Sequence, residues 1–382
     1  MPVPAGIAAL DVLADLQMAL DGSGPPLAPH ASTRAPQRVP DDLGPLPQDL
    51  ALAIATSGSS GRPKLAMLTR AALHASADAT HERLGSQGQW LLTMPAHHIA
   101  GIQVLVRSLV AGTMPVPMDL ARGFTSAAFA RATGEIASHA KAYTALVPTQ
   151  LVRLLASSDG CQALTRYAAV LVGGAAAPSS LLARARDAGV RVVTTYGMSE
   201  TAGGCVYDGR ALSVSFVQLE DEGRIRLGGA TLASGYLGEP ALTAKVFVVD
   251  DAGRQWFRTD DVGHLDDRGA LVVDGRIDDL INTGGLKVAP RLVEEALTRL
   301  DVIAEAVVVG SSDPEWGQVV SAAIVVTQSS SPPTLDDVRG RLRGILPDHA
   351  LPRRLAILPG LPLRGPGKPD RAAVRRLFAQ GG

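Results

Sequence analysis

"ALAIATSGSSGRPKLAMLTR", residues 51–70, decides the fold. It opens on an unbroken apolar run, passes through a loop of glycines and hydroxyls that ends in Lys64, and leads into a helix that begins near Arg70. The order is strand, polar loop, helix. Such a loop can aim successive backbone N–H groups and side-chain hydroxyls at phosphate oxygens, and the lysine adds a point charge. It is not a Walker-type loop, which needs Gly directly before a Lys-Ser/Thr pair; here Pro63 precedes Lys64 and Leu65 follows it. A plain surface turn uses the same residue types. The neighbouring sequence has to decide between them.

Working outward, short apolar strands alternate with helical patterns: "ALAIAT" and a helix from Arg70, "QWLLTM" and one from Gly101, "AYTALV" and one from Thr149, "AAVLVGG" and one from Ser179, then "VRVVTTYG". This is the pattern of an α/β fold with a doubly wound parallel sheet, whose ligands gather where loops leave the carboxyl ends of strands. The opening loop and "TTYGMSETAGG" (194–204) both occupy such exits. After about residue 205 the strands shorten and turns multiply ("ALSVSF", "GRIRLGG", "KVFVVDD", "GALVVDG"), which predicts an antiparallel β subdomain. "DGRIDDLINTGG" reads as a charged hinge, followed by a helix with Pro290 in its first turn and a compact α+β unit. The expected division is a large N-terminal domain, 1–277, and a small mobile C-terminal domain, 278–382. Residues 1–49 supply a short helix over 6–20 and a Pro-rich connector, and "QSSSPPT" (328–334) reads as a surface loop.

Composition narrows the function. A net charge of −1 over 382 residues gives no general electrostatic case for nucleic acid or an anionic membrane. No apolar run reaches the length of a membrane span, and the N-terminus lacks the basic start of a signal peptide, so a cytoplasmic protein is expected. Cys161 and Cys205 are too few for a zinc site or a disulfide framework. The chain has 36 Lys and Arg, of which five are Lys (64, 141, 245, 287 and 368), and three of these lie in Gly-rich loops. A compact ammonium and a planar guanidinium are different tools, so these lysines are candidates for chemistry.

The ordered set "TSGSSGRPK", "YGMSET", "WFRTDDVGHLD", "DGRIDD" and "GPGKPDR" resembles the adenylate-forming superfamily of acyl-CoA synthetases, adenylation domains and luciferases, over residues 50 to 382. The resemblance implies that Thr56, Ser57, Gly58, Ser59, Ser60, Gly61 and Lys64 handle the β- and γ-phosphates of ATP. It implies that Tyr196 stacks on adenine beside Gly197, that Ser199 lies near the α-phosphate, and that Glu200 holds Mg²⁺. Gly173, Gly174 and Ala175 match the lining of the adenine pocket. Asp261 matches the ribose-binding carboxylate, although Asp260 stands where the family usually has Gly. Arg276 matches an Arg near the ribose, and Asp278 sits at the family's hinge, with capping or ion pairing as its structural alternative. Lys368 matches the lysine that bridges acyl carboxylate and α-phosphate. Gly284 and Gly285 leave room for the pantetheine arm of CoA, and Lys287 either meets a CoA phosphate or is simply exposed.

A carboxylate is a poor electrophile, so the family first makes an acyl-adenylate and then lets a thiol attack it. The expected partners are therefore a small-molecule carboxylic acid, ATP and CoA, with Mg²⁺, and no nucleic acid; a homodimer is one option for the assembly. For the acid, His98 in "TMPAHHIAGIQVLVRSLVAGT" matches the residue that closes the acyl pocket, with ordinary packing as its alternative. Arg107, nine residues on in an apolar helix, could clamp a second carboxylate or face solvent. The segment and the short chain resemble the o-succinylbenzoyl-CoA synthetases of menaquinone biosynthesis. Another acyl- or aryl-CoA ligase, or a stand-alone adenylation enzyme, is the alternative.

Overall fold

The computed structural model of the protein describes residues 1–33, 43, 46–56, 64–120, 123–327, 331–364 and 368–379, with Arg364 and Lys368 described by their backbone. The chain forms two compact units. One comprises Met1–Ala177, Ala183–Gln218 and Arg226–Thr259; the other comprises Pro178–Leu182, Leu219–Ile225 and Asp260–Gly382.

The first unit is built on a seven-stranded sheet in the order Arg210–Ala211, Gly203–Tyr207, Val192–Met198, Tyr167–Val172, Ala142–Leu146, Gln89–Leu92, Val116–Pro117. The last five of these run parallel and the first two join antiparallel. Strands covered on both faces need apolar residues at successive positions, which is why Trp90 to Leu92 and Val170 to Val172 are all buried. Thr69 starts the helix Arg70–Leu84 by accepting the Ala72 N–H at 3.1 Å on its hydroxyl, and Gly85 ends it in a left-handed conformation. The helices Ile99–Val110 and Pro148–Leu155 begin two residues and one residue ahead of the expected starts. Pro148 fits a first turn, where its missing N–H has no helical partner to lose.

The opening stretch departs from expectation. Leu50–Ala55 is not a strand of the parallel sheet; it pairs antiparallel with Leu65–Thr69 as a separate two-stranded sheet, with Ala55 opposite Leu65 and Leu52 opposite Leu68. Leu65, Ala66 and Leu68 are buried, and an antiparallel partner reached through a short loop needs no crossover helix. Leu27 flanks one side, donating to Ala51 and accepting from Ala53 at 2.8 Å each; Ser234 to Leu237 flanks the other through Met67 and Leu65. The N-terminal segment also differs. Residues 6–20 are a 3-10 turn, Gly6–Val12, continued by the α-helix Leu13–Asp21. Val12, Leu16 and Leu20 are buried in the main core.

In the second unit, Asp261 to Leu265 pairs antiparallel with Leu271–Arg276. The remainder is an α+β fold. Ile281–Thr283 and Leu286–Val288 form a hairpin, the helix Pro290–Thr298 begins with proline as expected, and Ile303–Asp313 and Gly317–Val326 form a long antiparallel pair. Arg354–Ile357 adds in parallel to Gly317–Val326, and Leu335–Leu342 and Arg371–Ala379 are helices. Val293, Leu297, Val308, Val320, Ile324 and Leu342 are among the residues of its core. Among the described residues no helix is long and apolar enough to cross a membrane.

Candidate active site

In the first unit the two ends of the opening loop lie beside the turn that carries Ser199 and Glu200. Ser57, Gly58, Ser59, Ser60 and Gly61 lie outside the described residues, but both ends of their loop are described. The Thr56 N–H donates to the Lys64 carbonyl at 2.8 Å, which closes the loop at its base. Ser199, on the 3-10 turn Ser199–Thr201 that follows the strand Val192–Met198, points its hydroxyl at the Ala55 carbonyl across 3.5 Å. Next to it the buried Glu200 accepts a hydrogen bond from the Tyr236 hydroxyl at 2.7 Å, and the Lys64 ammonium sits 5.2 Å from the centroid of the same Tyr236 ring. Sequence reasoning missed Tyr236. It arrives because Ser234 to Leu237 pairs alongside Leu65–Thr69, bridging Ala66 to Tyr236. A lone Tyr between Gly235 and Gly238 has no periodicity to announce it.

Tyr196 and Gly197 lie at the carboxyl end of their strand, and Gly173 to Ala175 leave the end of the adjacent strand Tyr167–Val172. The backbones are close here. A Cβ on Gly173 would strike the Thr195 side chain, and one on Gly197 would strike the Gly203 carbonyl, so both positions require glycine.

The helix Ile99–Val110 carries the two acyl-site candidates. His98 is its N-cap residue, with its ring 4.2 Å from that of His97. Arg107 does not face solvent. It is 3 % exposed, lies over the Trp90 ring with 5.0 Å from guanidinium carbon to centroid, and approaches the Tyr207 hydroxyl at 3.4 Å. Among the described residues no Asp or Glu pairs with it. Gln103, one turn earlier, donates to the Ala202 carbonyl at 2.6 Å. His81, on the helix Arg70–Leu84, has its ring 6.3 Å from that of Trp90. Burial, and then the Arg107 charge, push the His81 imidazole down from 6.5 to about 4 against a smaller opposite pull from Asp78, so it is neutral at ordinary pH.

In the second unit Asp261 stands opposite Arg276 in the ladder. Asp260 pairs with Arg224 at 3.0 Å and Arg276 at 3.3 Å. Successive residues of a strand point to opposite faces, so the two carboxylates are separated by the pleat. Arg276 also reaches Asp278 at 3.8 Å, in the 3-10 turn Ile277–Asp279, whose last residue, Asp279, is bound by Arg375 at 2.7 Å. Gly284 and Gly285 form the turn of the hairpin with φ of 58° and 82°, a conformation that favours glycine at both places. A Cβ on Gly284 would meet the Trp316 ring, whereas Gly285 opens onto free space. Lys287 is exposed and pairs with Glu222 at 2.8 Å. Lys368 lies on the short strand Lys368–Pro369, opposite Arg364.

A parallel sheet with Ser199 and Glu200 following one of its strands, Thr56 and Lys64 beside them, and a separate α+β unit is the architecture of adenylate-forming enzymes. The chain belongs to the AMP-binding enzyme family: the model of that family matches residues 8–275, and that of the AMP-binding enzyme C-terminal domain matches residues 292–368. A protein of Mycobacterium tuberculosis (strain ATCC 25618 / H37Rv) named "Probable 2-succinylbenzoate--CoA ligase" is 45 % identical over 383 residues, covering 99 % of this chain and 97 % of the relative. The 2-succinylbenzoate–CoA ligase of Listeria innocua is 30 % identical, with 84 % of this chain and 68 % of the relative covered. Among solved structures, the o-succinylbenzoate CoA synthetase of Bacillus subtilis in complex with the acyl-adenylate intermediate OSB-AMP is 26 % identical with a TM-score of 0.72, over 86 % of this chain and 70 % of that one. The amide bond synthetase of Marinactinospora thermotolerans is 28 % identical with a TM-score of 0.77, over 93 % and 74 %.

Proposed function

We propose that this chain is a 2-succinylbenzoate–CoA ligase of menaquinone biosynthesis. It joins the acid to ATP as an acyl-adenylate, releasing pyrophosphate, and then transfers the acyl group to CoA. The observation that carries the adenylation half is the meeting of Lys64, Tyr236 and Glu200 at the base of the loop that begins at Thr56. A cation and a hydrogen-bonded carboxylate beside a closed Gly/Ser loop suit a triphosphate with a divalent ion. Among the described residues no group of three or more His, Cys, Asp or Glu could hold a metal by itself. Mg²⁺ usually takes one or two carboxylates and completes its shell with phosphate oxygens and water, and Glu200 would be its protein ligand here. The ion offsets charge repulsion between the carboxylate and the triphosphate.

In this reading the residues from Thr56 to Gly61 and Lys64 grip the departing pyrophosphate, Tyr196 stacks on adenine against Gly173 to Ala175, and Asp261 and Arg276 take the ribose. Asp278 is the hinge between domains 1–277 and 278–382. The smaller domain offers Lys368 to the adenylation step, and the Gly284–Gly285 turn with Lys287 to CoA. His98 closes the acyl pocket, and Arg107 holds the substrate's non-reacting carboxylate. The names of the relatives, and the near-complete coverage of the Mycobacterium tuberculosis one, support the choice of acid, and ATP and CoA as co-substrates suit the cytoplasm. Acyl transfer to an amine is a second reading, favoured by the likeness to the amide bond synthetase; it shares the adenylate and differs in the nucleophile.

Pyrophosphate release against 2-succinylbenzoate, benzoate, medium-chain fatty acids and amino acids, each with and without CoA or an amine, tests the reading. Preference for 2-succinylbenzoate, with a CoA thioester as the product, is expected. Preference for another acid, or amide in place of thioester, overturns the substrate assignment.

A further inference from the structure

Buried polar atoms without a hydrogen-bond partner are rare in folded proteins, and here they gather in one place. Among the described residues the unpartnered side-chain atoms are both ring nitrogens of His81, the indole nitrogen of Trp90, Oε1 of Gln103, Nε of Arg107 and, in the second unit, the indole nitrogen of Trp316. Arg107 lies over the Trp90 ring, the His81 ring is 6.3 Å from Trp90 and feels the Arg107 charge, and Gln103 is one turn before Arg107 on its helix; none of the four is more than 5 % exposed. Arg107 Nε, Trp90 Nε1 and one nitrogen of neutral His81 are N–H donors, so unmet donors predominate. Among the described residues Arg107 is also a buried cation with no carboxylate partner, a costly arrangement unless something else supplies the negative charge. A group of donors around an uncompensated cation is a receptor for an anion.

We infer that His81 is a specificity-determining residue, its neutral imidazole donating an N–H to the same substrate carboxylate that Arg107 binds, with the Trp90 N–H as a third donor. The inference rests on the assignment of Arg107 to the non-reacting carboxylate and extends it to a helix that the sequence motifs never touched. The neighbouring hydroxyls are already committed: Thr80 bonds Tyr207 at 3.0 Å and the Ser76 carbonyl at 2.8 Å, and Ser76 bonds the Ala202 carbonyl at 3.0 Å. This leaves Arg107, His81 and Trp90 as the donors to spare. A monocarboxylic acid would leave them unmet, and a site built around hydrogen bonds rejects ligands that lack the matching group.

The test compares the wild-type enzyme with His81→Leu and His81→Gln on 2-succinylbenzoate and on two analogues that each lack one carboxyl, 4-oxo-4-phenylbutanoate and 2-butanoylbenzoate. The analogue that the wild type still adenylates serves as the monoacid reference. His81→Leu is expected to raise KM for 2-succinylbenzoate about tenfold or more while kcat and the monoacid KM stay within about twofold. His81→Gln, which keeps an N–H donor, restores most of the loss. The thermal midpoint of His81→Leu should not fall, because two unpartnered atoms leave a buried site; a merely structural role for His81 predicts that it does. Should His81→Leu not fold, His81→Phe serves in its place, and failure of both overturns the inference. An unchanged KM for 2-succinylbenzoate, or equal changes for both acids, overturns it as well and leaves a group hydrated by enclosed water. Absence of turnover on 2-succinylbenzoate by the wild type is a different failure, which removes the substrate assignment and this inference with it.

Discussion

Replacing Tyr236 by Phe removes one hydroxyl and keeps the ring that faces Lys64 and packs edge-on to Phe247 at 5.6 Å. The lost contact is a 2.7 Å hydrogen bond to a buried carboxylate, of the charge-assisted kind. Such bonds contribute about 1.5–3 kcal/mol, which converts at about 1.36 kcal/mol per decade to roughly a 10- to 150-fold loss if the bond holds Glu200 in its working position. The assay is ATP–pyrophosphate exchange over a Mg²⁺ titration. Tyr236→Phe should lower the exchange rate within that range and raise the Mg²⁺ concentration needed for half-maximal rate. Adding Glu200→Gln should cost nothing further beyond Glu200→Gln alone, since the two residues act as a unit. Full exchange at unchanged Mg²⁺ dependence would refute the reasoning. So would a double variant whose losses simply add.

Three further outcomes follow from the same geometry. Lys368→Ala should slow adenylation roughly 10²–10³-fold or more, by analogy with a lost oxyanion donor, while sparing thioester formation from a supplied acyl-adenylate; equal loss of both half-reactions, measured separately, contradicts a lysine used in one step. Gly197→Ala places a Cβ against the Gly203 carbonyl and should destabilise the first unit by about 1–3 kcal/mol, read by chemical denaturation. His81 has a folded pKa of about 4, below the ordinary 6.5. The unfolded chain therefore binds the extra proton between these values. Above pH 6.5 His81 places no proton-linked cost on folding; as pH falls towards 4 the fold loses on the order of 3 kcal/mol through it, and His81→Leu should remove that part of the acid sensitivity.

The sequence made the parallel sheet legible because strands buried on both faces are continuous apolar runs, and Ala142–Leu146 and Tyr167–Val172 cannot be mistaken for exposed turns. It misassigned Leu50–Ala55, because an apolar run looks the same whether its partner is a parallel neighbour or the returning Leu65–Thr69. The motif loops were visible because glycine and hydroxyl residues cluster where a chain turns. Tyr236 was not, since its position depends on pairing between segments about 170 residues apart, to which local spacing is blind. Arg107 could be named from its apolar surroundings, but whether it faced inward depended on three other elements, which supply Trp90, Tyr207 and His81. Asp260 looked like a rival to Asp261; its pairing with Arg224 and Arg276 uses an arginine far away in sequence.

The central claim is a two-step ligation through an acyl-adenylate, and the most direct test is mass spectrometry of one reaction in two stages. With enzyme, ATP, Mg²⁺ and 2-succinylbenzoate but no CoA, the account predicts enzyme-bound acyl-adenylate and pyrophosphate; on adding CoA, the adenylate should disappear as AMP and the CoA thioester appear in equal amounts. Formation of ADP and phosphate, or of thioester without a prior adenylate, would contradict it.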